Sequence, residues 1–197
     1  DVLVHALEAY VATAANNFTD ALAQQAIELV FEYLPKCHKP TATEQDRMSM
    51  HEASCLAGLS FNKAGLGIVH AMAHQLGGQF HVPHGLANSM LLPYVIGFNC
   101  SRNQEVAKKY AHLSAKLGFA SHKASDGDKL GALLEAIVKL QRTLECPMTL
   151  TEFGVDKATS EAKLNLMADR ALEDMCYRFN PYPANHDDLI GLYKKVL

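Results

Sequence analysis

Four of the ten histidines of this 197-residue chain fall within the stretch GIVHAMAHQLGGQFHVPHG, as His70, His74, His81 and His84. His70 and His74 stand four residues apart, as do Asp1 and His5 in DVLVH. On a helix that spacing puts both side chains on one face, about 5–6 Å apart at Cβ, close enough to share one cation. A carboxylate oxygen beside neutral imidazole nitrogens suits zinc, iron, manganese, cobalt or nickel. Spacing alone leaves three readings open: solvated helix turns, core packing and metal ligation. What favours the metal is convergence, with His81 and His84 on a Pro/Gly turn directly after the second pair. Glu8, one helical turn beyond His5, can orient a ligand or face water, and is assigned to water.

Competing chemistries lack their signatures. Ala71 occupies the place of the glutamate in H-E-x-x-H, so a zincin protease would have no general base there. Neither G-x-S-x-G nor a Walker A loop is present, and AGLG and LGG do not fit G-x-G-x-x-G, so a dinucleotide fingerprint is missing. The five cysteines (Cys37, Cys55, Cys100, Cys146, Cys176) are odd in number, scattered and never spaced C-x-x-C. They read as free thiols in a reducing compartment, which points to the cytoplasm.

The elements that must carry these side chains read as helices almost throughout. Val2, Leu3, Leu7, Tyr10 and Val11 recur in steps of three and four. A second helix is expected from cap candidates Asn17 or Thr19 to a limit at Pro35, and a third from about Thr43 to Lys63, carrying Met48, His51, Cys55, Leu56 and Leu59. The histidine helix is expected to run to about Leu76, stopped by Gly77 and Gly78, with Met72, Leu76 and Phe80 on its packed face. HVPHG is an irregular connector, because Pro83 restricts Val82 to extended geometry. A further helix follows in LANSMLLPYVIGFN, kinked at Pro93. Helical patterns continue through NQEVAKKYAHLSAKLG, DKLGALLEAIVKLQRTLE, TSEAKLNLMADRALEDM and HDDLIGLYKKVL. The fold class is all-α, a multi-helix bundle, with residues 1–197 as a single domain.

Composition narrows the function further. Apolar residues make up 49% and charged residues 20%, with a formal net charge of -3. That is globular, and it offers no cationic footprint for nucleic acid. No apolar run approaches the ~18 residues needed to span a membrane. The chain opens on Asp1 in a stretch that already reads as mid-helix, which suggests a fragment or processed chain.

The segment HAMAHQLGGQFHVPHGLANSMLLPYVIGFN resembles the signature of the iron-containing alcohol dehydrogenases, close to H-[GA]-x-[AS]-H-x-L-G-x-x-[FY]-x-x-P-H-G. DVLVHALEAYVATAANNFTDALAQQAIELVFEYLP is similar to that family's other ligand segment, D-A-x-x-H-A-x-E-A-Y. The resemblance extends over essentially the whole chain and implies the helical C-terminal domain of the family, of dehydroquinate synthase-like architecture. Carried over by motif, it implies metal ligands Asp1, His5, His70 and His84. His74 is then not a ligand but stands near nicotinamide and substrate, positioning the cofactor or relaying a proton; His81 becomes second shell or surface. The implied ion is Fe(II), with Zn(II) also compatible.

The same resemblance implies NAD(P)-dependent hydride transfer between small primary alcohols and aldehydes, and a homo-oligomeric full-length enzyme. It also exposes a departure: the family's N-terminal nucleotide-binding domain is absent from these 197 residues, so the chain alone is expected to be inactive. Three other readings compete. A zinc-dependent glycerol dehydrogenase-like enzyme would act on polyols, a metal-dependent hydrolase would activate water, and a structural or assembly module would leave the ligands idle.

Overall fold

A computed structural model describes all 197 residues. It contains helices and no strand: α1 (Val2–Val11), α2 (Asn17–Cys37), α3 (Glu44–Ala64), α4 (Ile68–Phe80), α5 (His84–Arg102), α6 (Gln104–Lys116), α7 (Asp126–Thr143), α8 (Leu150–Phe153), α9 (Lys157–Glu161), α10 (Leu164–Glu173) and α11 (His186–Tyr193), with a 3-10 turn at Tyr177–Phe179. No helix is long and apolar enough to cross a membrane.

Helix α1 is apolar on nearly every side, and eight of its ten residues are buried. A helix of that kind has to run through a core rather than across it, and α1 packs against α2, α3 and α5. Its C-terminal carbonyls are satisfied from α6: the Tyr110 hydroxyl donates to Leu7 O at 3.1 Å, and Lys109 Nζ donates to Tyr10 O. Lys109 also pairs with Asp20 of α2 at 2.7 Å, so a cation sits at the negative end of the helix dipole.

Capping boxes start α2 and α3. The α2 cap is Asn16, one residue before the first candidate, with Thr19 Oγ1 accepting from Asn16 N at 2.9 Å. Thr43 and Asp46 form the box of α3. Helix α2 runs two residues past Pro35; a proline there removes a single backbone bond, the one to Phe31 O. The buried ridge of α3 is made of Ser49, Ala53, Ala57, Ser60 and Ala64, whereas Met48 and Leu59 lie about half exposed at 49% and 52%. Small residues on this face, against Ala23, Ala26 and Ile27 of α2, let the two backbones approach closely. Ser60 Oγ uses that proximity to donate to Thr19 O at 2.9 Å.

Gly65 ends α3 with φ of 83°, and a Cβ there would lie 2.3 Å from Phe179. Helix α4 then continues through Gly77 and Gly78 to Phe80, four residues beyond the expected stop. An interior glycine costs about 1 kcal/mol, less than the packing of fully buried Met72 and Leu76 supplies. The stop is instead His81, left-handed at φ of 56°, whose N–H bonds Gly77 O at 3.0 Å. The connector is short, and α5 already begins at His84, with Pro93 inside it. Pro93 cannot donate to Ser89 O; Gln141 Nε2 from α7 does so at 2.6 Å. The expected TSEAKLNLMADRALEDM helix divides into α9 and α10.

The close α2–α3 contact predicts opposite outcomes on the two faces of α3. Ala57→Leu should lose about 1–3 kcal/mol of stability through overpacking, and Met48→Ser should stay within ~0.5 kcal/mol, both read from urea denaturation midpoints.

Candidate metal centre

The site is assembled where the N-terminus of α1, the first turns of α4 and the first turn of α5 meet. Asp1 is the N-cap residue of α1 and His5 lies one turn along. Gly85 makes the approach of α5 possible, since a Cβ there would lie 3.1 Å from Asp1 Cβ and 3.3 Å from Asp1 N. The carboxylate of Asp1 reaches toward three imidazoles: His84 Nδ1 is 3.1 Å from Oδ1, His70 Nε2 is 3.8 Å from Oδ1, and His5 Nδ1 is 3.8 Å from Oδ2. Ligand atoms of Asp1, His5 and His70 all lie within 4.8 Å of one another. His84 joins this trio through Asp1 and belongs to α5 itself rather than to the preceding turn.

Each ring is held. His5 is stacked between Phe61 and His70, with centroid separations of 4.6 and 4.5 Å. His70, 1% exposed, is fixed by Glu8, whose Oε2 is 2.6 Å from His70 Nδ1. The assignment of Glu8 to water is therefore corrected: it is 5% exposed. Its carboxylate sits at the N-terminus of α4, accepting from Val69 N at 2.7 Å and from His70 N at 3.4 Å, while Asn180 Oδ1 accepts from Ile68 N at 3.2 Å. Amide hydrogens and the helix dipole both favour an anion there. Gly67 leaves room for it, since a Cβ would stand 2.7 Å from Glu8 Oε1.

Asn88, one turn beyond His84 on α5, completes the surroundings. Its amide nitrogen is 2.8 Å from Asp1 Oδ1, 3.2 Å from His70 Nε2 and 3.2 Å from His84 Nδ1. One amide group thus lies within reach of three side chains, and the buried Asn88 Oδ1 has no partner.

His74 stands on the rim, largely open, its ring 5.5 Å from His84 and 6.2 Å from His70. Its Nδ1 is 2.7 Å from Asp174 Oδ2, and Asp174 Oδ1 accepts from Cys176 N at 2.8 Å. Burial would raise the pKa of Asp174, but the hydrogen bonds from His74 and from the Cys176 amide bring it below the ordinary value. His81 is exposed and remote from these contacts.

The donor set suits a divalent cation. Glu8 occupies Nδ1 of His70, which leaves a lone pair on Nε2 facing Asp1. His5 is held neutral, its pKa lowered to about 3 chiefly by burial and further by His70 and His84. His84 is lowered by burial and by His70 and His74. Nitrogen-plus-oxygen sets of one carboxylate and neutral imidazoles take Fe(II), Zn(II) and similar ions.

A helical bundle that draws an aspartate and three histidines together from three helices defines an all-α domain with a candidate metal centre. Its sequence matches the profile described as the Fe-containing alcohol dehydrogenase family, C-terminal, over residues 1–197, and the chain belongs to that family. It is 44% identical to the 1-propanol dehydrogenase PduQ of Salmonella typhimurium over 197 residues, covering all of this chain and 53% of that protein. It is 39% identical to the NADPH-dependent butanol dehydrogenase of Clostridium saccharobutylicum, covering all of this chain and 49% of that one. Among solved structures, a 1,3-propanediol oxidoreductase superposes with a TM-score of 0.92 at 37% identity, over the full chain and 50% of its own. The chain spans about half the length of the relatives it matches.

Three residues of this surrounding shell were not singled out as site residues by sequence reasoning. Glu8 carried a signal, being a charge in a helix otherwise apolar all round, and Asn88 lies four residues from His84 on the same face. Asp174 is 100 positions from His74 and had none.

Two outcomes are expected. Glu8→Gln should weaken metal binding by about 10–100-fold, measured by competition with a chromogenic chelator, because the buried partner of His70 loses its charge. The metal-free protein should lose stability as pH falls from about 6.5 toward the His5 value of about 3. The unfolded chain binds a proton there and the folded one does not, so the stabilising contribution is complete above that window. Thermal midpoints should drop across this interval, and His5→Gln should flatten the drop.

Proposed function

We propose that these residues form the catalytic metal-binding domain of a nicotinamide-dependent alcohol dehydrogenase interconverting small primary alcohols and aldehydes. The observation that carries this reading is the convergence of Asp1, His5, His70 and His84, with His74 on the open side of the same cluster. The proposed metal ligands are those four residues, with Fe(II) as the ion and Zn(II) compatible. When bound, the ion supplies Lewis acidity toward the substrate oxygen.

The chain's own residues do the rest. With Asp174 a carboxylate, the proton of His74 belongs on Nδ1, which leaves Nε2 as an acceptor. A bound nicotinamide would supply the hydride acceptor for alcohol oxidation and the hydride donor for aldehyde reduction; His74 Nε2 takes up the hydroxyl proton in the first direction and returns it in the second. Glu8 and Asn88 keep His70, His84 and Asp1 in register throughout. We assign His74 the catalytic role, together with contact to the cofactor.

Residues 1–197 contain no glycine-rich pyrophosphate loop. The nicotinamide is accordingly to be held by a nucleotide-binding domain equivalent to the other half of the relatives, and the 197 residues alone should show no turnover. The full enzyme is proposed to be a homo-oligomer and, in keeping with five free cysteines, cytoplasmic.

The test uses the intact protein carrying this chain, reconstituted with Fe(II) or Zn(II) and assayed with propanol or butanol and each nicotinamide. His84→Ala should lose both metal and turnover. His74→Ala should retain the ion held by Asp1, His5, His70 and His84 while kcat falls by about 10²–10⁴. A metal-loaded protein that transfers no hydride to either cofactor from any primary alcohol would refute the assignment.

A further inference from the structure

A second group of ligand-type side chains lies beside the first. His74 of α4, Asp174 just after α10 and Cys176 just before the 3-10 turn offer one ligand atom each, all within 4.8 Å of one another. None of the other four cysteines joins such a group. We propose that His74 Nδ1, Asp174 Oδ2 and Cys176 Sγ form a separate binding site for a thiophilic divalent cation of the zinc class.

The chemistry differs in kind from that of the first centre. Imidazole, carboxylate and thiolate are all zinc ligands, and with bonds of about 2.0–2.3 Å a tetrahedral ion places its ligand atoms roughly 3.4 Å apart. His74 Nδ1 and Asp174 Oδ2 stand 2.7 Å apart and all three ligand atoms lie within 4.8 Å of one another, a range that brackets that spacing. Two of the three ligands leave the backbone one residue apart, at Asp174 and Cys176, where the Cys176 N–H already fixes the other carboxylate oxygen at 2.8 Å. The third, His74, projects from the rigid middle of α4. Fixed ligands on two elements reduce the ordering cost of binding.

An approach route exists. Cys176 lines an open groove of about 330 Å³ together with Phe61, Met175 and Phe179. Met175, between the two ligands in sequence, is 71% exposed, which leaves the flank of the site uncovered. Burial, with Asp174 beside it, pushes the Cys176 thiol up to about 12; a coordinating ion removes that proton outright, releasing it to solvent. Binding here also takes Nδ1 of His74 away from Asp174. The ion would then hold the ring from its proton-relay role, and this clause alone rests on the dehydrogenase reading.

Cobalt(II) titration of the metal-free intact protein separates the two centres, because only the second contains sulfur. Two equivalents should bind, one of them bringing the near-ultraviolet sulfur-to-cobalt charge-transfer band. Cys176→Ser should bind one equivalent and show no band. Asp174→Asn should weaken the sulfur-containing site at least tenfold. His84→Ala should lose the other equivalent and keep the band, so a failure of the Asp/His centre remains distinguishable. Saturation with cobalt without a thiolate band in the wild-type protein overturns the proposal, as does a band that survives in Cys176→Ser.

Discussion

The carboxylate of Glu8 is the group on which the arrangement depends. It is buried, and both of its oxygens are engaged: one by Val69 N, the other by the His70 ring and, at longer range, the His70 amide. An anion in that position would be costly in an apolar interior. Here it is compensated by the N-terminal amides of α4 and an imidazole N–H. The same contacts dock α1 against α4, so the register of the two helices and the orientation of the His70 ring have one cause. Gly67 is part of that cause, since any side chain there would occupy the place of the Glu8 oxygen.

Around this anchor the polar groups of the site are incompletely paired. Asp1, His70 and His84 share a single amide group from Asn88, and the remaining Asn88 oxygen is buried without a partner. Such incomplete pairing is tolerable because it is local: the helices beneath are held by a continuous apolar core that includes Leu3, Leu7, Met72, Leu76, Met90 and Leu91. A cation among these groups would relieve it, and any ion bound only by the folded state stabilises that state by mass action. Fold stability and metal content are therefore linked through the N-terminal turn of α1.

Much of this was legible in the sequence. The helical period of DVLVHALEAYV, the capping residues and the histidine spacing pointed to an all-α bundle and to one face of α1 and one of α4 as carriers of the side chains that converge at the candidate centre. Helix ends were less legible where packing overrode local preference. Gly77 and Gly78 stay helical because Met72 and Leu76 hold α4 in the core, and Pro93 stays within α5 because Gln141, far away in sequence, meets the carbonyl that proline leaves free. Glu8 was misassigned because the approach of α4's N-terminus to α1, which only folding creates, decides whether that carboxylate meets water or amides. The burial of small residues on α3, with Met48 and Leu59 left outside, has the same origin: closeness to α2 selects against size.

The layered stack of Phe61, His5 and His70 has a consequence of its own. Two nearly parallel plates at similar spacing, 4.6 and 4.5 Å away, confine the middle imidazole to one plane. The rotational freedom such a side chain would surrender on gripping a guest has thus already been surrendered when the chain folds. In this respect His5 resembles a donor on a macrocycle more than one on a flexible polymer.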